Sequence, residues 1–163
     1  MELNIKGEYK FNITYQNMFN TYTISYYGHN IITDEGLKFL INKWASDDSC
    51  KITKMIVGRN NANPTPTDSI NTFHNYFIFN IDLTTQDNQL IMTNNQISGK
   101  HLNNTTEIGV IGENIIDDGT IESTVLISRS THPTIQMPET SIISIEYIYT
   151  LTSKTIDECT EEE

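Results

Sequence analysis

Positively charged residues are scarce in this sequence. Its 163 residues include 10 lysines and arginines against 21 aspartates and glutamates, which gives a net charge of −11 at pH 7. A nucleic-acid backbone or an anionic membrane attracts a basic surface, and too few basic residues are available here to form one. We therefore expect neither nucleic acid nor a membrane as a partner.

Cysteine is also rare, and long apolar runs are missing. The two cysteines, Cys50 and Cys159, match no metal-ligand spacing and no CxxC motif, so we expect two free thiols. The polar segment 1–10 lacks the basic and apolar stretches of a signal peptide, and no apolar run is long enough to span a bilayer. These patterns favour synthesis in a cytosol.

Sequence signatures of catalysis and metal binding are missing as well. The four histidines do not stand at metal-ligand spacing, and no HExxH, GxSxG or glycine-rich phosphate loop occurs. Loop solvation explains the paired carboxylates Asp47 and Asp48, and turn formation explains Asp117 and Asp118. Aspartates and asparagines in loops offer oxygen ligands for calcium, but no DxDxDG spacing accompanies them. We predict no enzymatic activity, no cofactor and no metal site.

The sequence is rich in Ile, Thr and Asn, a composition that suits strands joined by turns. Apolar and polar residues alternate along several segments, which is typical of half-buried strands. Asp117-Asp118-Gly119 is a strong hairpin signal between two of them. The predicted strands cover residues 6–17, 21–28, 51–58, 72–84, 89–98, 105–111, 121–129 and 141–152. Their number and spacing predict one antiparallel β-sandwich, jelly-roll-like, over residues 1–153, followed by an acidic and flexible tail over 154–163.

One segment has helical rather than strand periodicity. Leu37, Leu40, Ile41 and Trp44 follow the spacing of a single helical stripe, and Thr33 or Asp34 can cap its first turn. We predict one short α-helix near residues 34–46, with this stripe buried and Trp44 in the core.

Three segments form a distinctive set of motifs. They are Asn-Ile-Ile-Thr-Asp-Glu-Gly-Leu at 30–37, Ile-Val-Gly-Arg-Asn-Asn-Ala-Asn-Pro-Thr-Pro-Thr-Asp at 56–68, and Thr-Glu-Ile-Gly-Val-Ile at 106–111. In their order and spacing they resemble motifs of tailed-phage structural domains found among tail-fibre and baseplate-associated proteins, and the likeness covers about residues 30–152. Asn60 or Asn61 stands where the family has a further glycine, and Ile111 stands where it has phenylalanine.

This resemblance implies a β-sandwich with one helix, no enzymatic activity and a place in a virion assembled from many subunits. The partners would be other virion structural proteins and further copies of the chain, arranged as a trimer or a ring. Chains with these motifs often continue into a fibre, whereas this one ends soon after the sandwich. The pattern favours a tail-fibre, baseplate or collar adaptor, or a decoration protein.

Two regions are predicted to form the subunit contacts. The first is the Pro- and Asn-rich loop after Gly58, which should be exposed. The second is the last strand, because its apolar residues point to both faces. The residues expected to make these contacts are Asn60, Asn61, Asn63, Pro64, Pro66, Tyr147 and Tyr149.

Two other functions remain open from the sequence. A carbohydrate-binding host-adhesion module would use exposed aromatic rings as a sugar platform, although strand spacing places most of the tyrosines in the core. The candidate rings are Tyr22, Tyr26, Tyr27, Tyr76, Tyr147 and Tyr149. A polysaccharide-degrading enzyme is disfavoured by the short length and by the missing catalytic motifs.

Overall fold

Two five-stranded antiparallel sheets pack against each other in the computed structural model, which describes residues 2–16, 20–45 and 48–154. Side chains from both sheets form one large hydrophobic cluster between them. The predicted antiparallel β-sandwich is therefore confirmed. Cys159 and most of the acidic tail, residues 155–163, lie outside the described residues.

The first sheet has the strand order β2-β1-β10-β7-β6. Its longest ladder joins β1 to β10 and runs in continuous register from the pair Glu2–Lys154 to the pair Thr14–Ile142. The two strands at its open edges are β2 and β6. The bounds are β1 (Glu2–Gln16), β2 (Thr21–His29), β6 (Asp82–Gln86), β7 (Gln89–Ser98) and β10 (Ile142–Lys154).

The second sheet has the strand order β3-β9-β8-β4-β5. Strands β8 and β9 form the hairpin that the sequence predicted at Asp117-Asp118-Gly119, and Gly119 has the positive φ of 83° that such a turn requires. The bounds are β3 (Ile31–Ile32), β4 (Cys50–Gly58), β5 (Phe77–Asn80), β8 (Glu107–Ile115) and β9 (Ile121–Thr131).

The predicted helix exists, but its buried face differs from the predicted stripe. Helix α1 (Asp34–Trp44) buries Gly36, Phe39 and Leu40, whereas Leu37 and Ile41 are 44% and 49% exposed. Gly36 lies directly on β9, where an added Cβ would come within 2.1 Å of the carbonyl oxygen of Ile127. This close approach turns the Gly36 side of the helix towards the sheet. Trp44 is half-buried and packs against the core cluster.

The predicted continuous strand over 72–84 is wrong. The chain forms a 3₁₀ turn at Ile70–Thr72, then β5 in the second sheet and β6 in the first. It crosses between the sheets at Ile81, whose N–H donates to the carbonyl oxygen of Thr53 at 3.3 Å. A further single helical turn, α2 (Gly99–Leu102), follows β7.

The buried face of α1 gives a direct test by paired substitutions. Leu40→Ala should lower the free energy of unfolding by about 2–5 kcal/mol, because it leaves a cavity at a fully buried position. Ile41→Ala, the matched control one residue away, should change it by about 0.5 kcal/mol or less. Urea unfolding followed by circular dichroism measures both values, and equal losses would contradict the observed orientation of the helix.

Candidate functional site

A buried ion network stands beneath the Pro- and Asn-rich loop. Arg129 of β9 is completely buried, and its Nε donates to Oε2 of Glu107, on the neighbouring strand β8, at 2.8 Å. Its other nitrogens donate to Oδ2 of Asp68 at 3.0 Å and to the carbonyl oxygen of Asn60 at 3.1 Å. The guanidinium also lies 5.7 Å from the centre of the Phe73 ring. One cation therefore holds the sheet and two points of the loop together.

The carboxylate of Glu107 joins the start of the same loop to the segment that follows the 3₁₀ turn. Its Oε1 accepts hydrogen bonds from the backbone N–H of Asn60 at 2.9 Å and of His74 at 3.1 Å. Glu107 is completely buried, so these bonds and the contact with Arg129 replace the water that its charge has lost. Gly58 makes room for this carboxylate, because an added Cβ would lie 2.4 Å from Oε1.

Asp68 closes the loop from its far end. Its carboxylate accepts from the N–H of Thr65 at 2.9 Å and from the hydroxyl of Thr65 at 2.8 Å, in addition to the bond from Arg129. Burial alone would raise the pKa of Asp68, but the bonds from Thr65 and the positive charge of Arg129 outweigh it and hold the pKa below its ordinary value.

The three motif segments meet at this network. Glu107 belongs to the third segment, and Asn60 and Asp68 belong to the second. The first segment joins through Asp34, whose N–H donates to the carbonyl oxygen of Pro66 at 2.8 Å, while Thr33 caps α1 by accepting from Gly36 at 2.9 Å. The motif residues that the network uses therefore shape and support the loop.

The outermost part of the loop, residues 61–67, is named here the loop crest. It contains no charged residue, although the chain as a whole carries a net charge of −11. Among the predicted contact residues, Asn61, Asn63 and Pro66 are exposed on it, and Pro64 is half-buried. The crest is thus a rigidly supported, neutral surface.

The other predicted contact residues are placed differently. Asn60 uses its backbone N–H and C=O in the ion network, and its side-chain amide donates to Thr72 and accepts from Ala62. It supports the loop from inside instead of presenting a surface. Tyr147 and Tyr149 are completely buried, so their prediction as contact residues is corrected.

The burial of these two tyrosines has a clear physical reason. They point inward on β10, where alternation places them in the core, and both hydroxyl groups hydrogen-bond to Ser128 of β9. Burial raises the pKa of both phenols. The same position removes them from the candidate sugar platform.

A shallow groove lies on the outer face of the first sheet and is named here the outer groove. It encloses about 450 Å³. Tyr27 is 69% exposed there, and the ammonium of Lys10 lies 5.5 Å from the centre of its ring. The carboxylates of Glu8 and Glu146 and the imidazole of His29 also line this groove. The outer groove is lined by Glu8, Lys10, Tyr27, His29, Glu146 and Ile148, among others.

The four histidines do not converge on a common site. His29 lies 3.6 Å from Glu8, His101 stacks on Phe77 with ring centres 3.8 Å apart, and His74 is exposed. His132 is buried beside Phe11, and burial lowers its pKa. Within the described ranges, no group of three His, Cys, Asp or Glu side chains is arranged to hold a metal ion.

No helix in the described part of the chain is long and apolar enough to cross a membrane.

Comparison of the chain with protein-family models, curated proteins and solved structures finds no match. The likeness to tailed-phage domains therefore rests on the motif residues themselves.

Reasoning from the sequence missed Arg129 as the centre of this region. The available signal was an arginine inside the apolar run Val-Leu-Ile-Ser-Arg, since the chain has only ten basic residues and a lone cation in a buried strand needs a partner. The sequence does not show which carboxylates pair with Arg129, because Glu107 and Asp68 lie 22 and 61 residues away from it in the chain.

Removing the central cation should destabilise the fold strongly. Arg129→Met leaves Glu107 buried without a counter-charge, so the free energy of unfolding should fall by about 3–5 kcal/mol. Adding Glu107→Gln to the same chain removes the unpaired charge and should restore part of the loss. Arg59→Met, on an exposed arginine, serves as the control, and urea unfolding compares the four proteins. Equal stability of Arg129→Met and wild type would contradict the role given to the network.

Asp68 should contribute to acid unfolding. Its pKa is lower in the folded chain than the ordinary value of 3.8, so the unfolded chain takes up the proton first and stability falls as the pH drops below 3.8. Asp68→Asn should therefore flatten the acid side of the stability curve relative to wild type, when unfolding is measured from about pH 7 to about pH 3. Asp82→Asn, at an exposed aspartate, is the control, and parallel curves for wild type and Asp68→Asn would contradict the assignment.

Proposed function

We propose that this chain is a non-enzymatic structural protein of a tailed-phage virion, acting as a tail-fibre, baseplate or collar adaptor. The observation that carries the proposal is the convergence of the three motif segments on the Arg129 network. Motifs of this kind resemble those of tailed-phage structural domains, and here their buried polar residues support a loop. Their carboxylates, Glu107 and Asp68, accept hydrogen bonds from Arg129 and from the loop backbone.

The loop crest suits a contact with a neighbouring subunit. Protein contacts form with little desolvation cost where charges are few, and the crest is neutral in an otherwise acidic chain. The ion network fixes the crest before binding, so little conformational entropy is lost when a partner docks. Because virion parts usually form closed symmetric assemblies, we propose that within the particle the crest contacts arrange copies of the chain around a three-fold axis or in a ring and join them to other virion proteins.

The direct test is the composition of the particle. Tailed particles purified on a density gradient from cultures that carry the gene should contain peptides of this chain at a fixed ratio to the major structural proteins. Peptides found only in fractions without particles would overturn the virion assignment. Mass spectrometry of the gradient fractions gives the answer.

The crest can be tested separately. Asn61→Glu together with Asn63→Glu should reduce incorporation into particles at least tenfold, because two new negative charges must be desolvated at the contact. Asn42→Glu, at an exposed asparagine of α1, is the matched control and should be incorporated normally. The fold of each variant is checked by circular dichroism, and normal incorporation of the crest variant would exclude the crest as a contact.

A second candidate is a carbohydrate-binding host-adhesion or decoration module, and the outer groove favours it. The exposed Tyr27 ring offers a flat apolar surface on which a sugar can stack, and Glu8, Lys10 and Glu146 offer hydrogen-bonding groups beside it. Of the tyrosines considered for a sugar platform, only Tyr27 combines high exposure with such neighbours in the described part of the chain.

Glycan binding distinguishes this candidate from a purely structural role. If the outer groove binds sugar, a glycan array probed with the full chain should give signals that Tyr27→Ala weakens at least tenfold, since stacking on the ring is lost. Tyr76→Ala, at another tyrosine that is half exposed, should leave those signals unchanged. A blank array with the wild-type chain, or equal losses in both variants, would exclude the outer groove as a sugar site.

A further inference from the structure

Strand β2 forms a long open edge of the first sheet. Within the described residues it pairs with β1 alone, in unbroken register from Glu8–His29 to Gln16–Thr21. The edge strands of the second sheet are shorter, with two residues in β3 and four in β5. β2 is therefore the longest edge strand in the described part of the sandwich, and its residues 23–27 present an open backbone edge.

The register shows which backbone groups point outward. The N–H of Asn30 donates to the carbonyl oxygen of Gly7, which lies directly opposite it in the same ladder. Hydrogen-bonded and non-bonded pairs alternate in an antiparallel ladder, so the even-numbered residues of β2 bond to β1. The N–H and C=O groups of Thr23, Ser25 and Tyr27 consequently face away from the sheet.

This edge carries none of the features that protect edges in soluble proteins. Residues 21–28 contain no charged residue and no proline, and the ladder with β1 has no bulge. Tyr27 is 69% exposed on the outer face, and Ile24 is 39% exposed on the inner face. An unprotected edge with exposed apolar side chains is a template for a further strand.

We propose that β2 pairs with β2 of a second copy of this chain, antiparallel and across a two-fold axis at Ser25. Ser25 then lies opposite Ser25 of the partner copy, and Thr23 lies opposite Tyr27 on each side. The outward groups of these residues form about six backbone hydrogen bonds between the copies. The two first sheets become one continuous sheet through the dimer.

The charge distribution restricts two copies of this chain to meeting at a neutral edge such as that of β2. Two chains that each carry −11 repel each other over most of their surfaces. Along residues 21–28 they can meet without placing like charges opposite each other. In a two-fold contact both copies use the same strand, so the N–H and C=O groups of β2 in one copy bond to the C=O and N–H groups of β2 in the other.

The register brings apolar side chains together as well. On the inner face, Ile24 of each copy lies opposite Tyr26 of the other, in a pair of β-branched and aromatic residues of the kind that stabilises antiparallel ladders. On the outer face, the small Ser25 side chains leave room for close approach at the axis.

Native mass and two proline variants test the proposal. Sedimentation velocity of the full wild-type chain over a range of concentrations should give an even multiple of 18.6 kDa. Ser25→Pro removes the central outward N–H, and proline is tolerated at an edge, so the mass should fall by half. Thr85→Pro is the matched control, because the same alternation places Thr85 outward on β6, at the opposite edge of the sheet. It should leave the mass unchanged.

A second substitution keeps the test independent of proline. Ser25→Lys places two ammonium groups opposite each other at the axis, so the mass should halve at low salt and recover as salt screens the repulsion. A wild-type monomer or an odd-numbered oligomer would overturn the proposal, as would a Ser25→Pro protein of wild-type mass. If Thr85→Pro halved the native mass, the proposed pairing of β2 with β2 would also be overturned, in favour of head-to-tail pairing of β2 with β6 of the next copy. The virion assignment is tested by particle composition, so the two proposals can fail separately.

Discussion

The pairing of Arg129 with Glu107 is the interaction on which the loop region depends. Both groups are completely buried, and moving either charge from water into the protein costs several kcal/mol. The cost is offset because the polar atoms of the pair find specific partners in the loop backbone and in Asp68. The loop and the ion pair therefore require each other: without the loop donors the carboxylate would lack hydrogen bonds, and without the ions the loop would have no anchor.

Strands such as β1 and β10 could be predicted from the sequence because more and less buried residues alternate along them. β10 illustrates this, with Ile143, Ile145 and the two tyrosines inward as the alternation indicates. The errors arise where local pattern and tertiary contact disagree. The face of α1 is set by the contact of Gly36 with β9, and periodicity of apolar residues carries no information about that contact. Segment 72–84 alternates like one strand, yet it divides between the two sheets.

The candidate site could be predicted in outline only. Proline and asparagine content indicated an exposed loop, and Asn61, Asn63 and Pro66 are exposed. The internal role of Asn60 could not be read from its residue type, because an asparagine suits a turn whether its amide faces water or the protein. The prediction of Tyr147 and Tyr149 as contact residues is wrong because apolar residues on both faces of β10 do not show which face meets the second sheet.

The ladder between β1 and β10 has a consequence for how the chain folds. It pairs residue 2 with residue 154, so β1 has β2 as its only neighbour in the sheet until β10 is available. During synthesis β1 and β2 would remain a lone hairpin until β10 emerges from the ribosome, and such hairpins are marginal in water. Closing so large a loop is entropically slow, which places this sandwich among the slow folders, with times of milliseconds to seconds. Its apolar strands stay exposed to neighbouring chains during that interval.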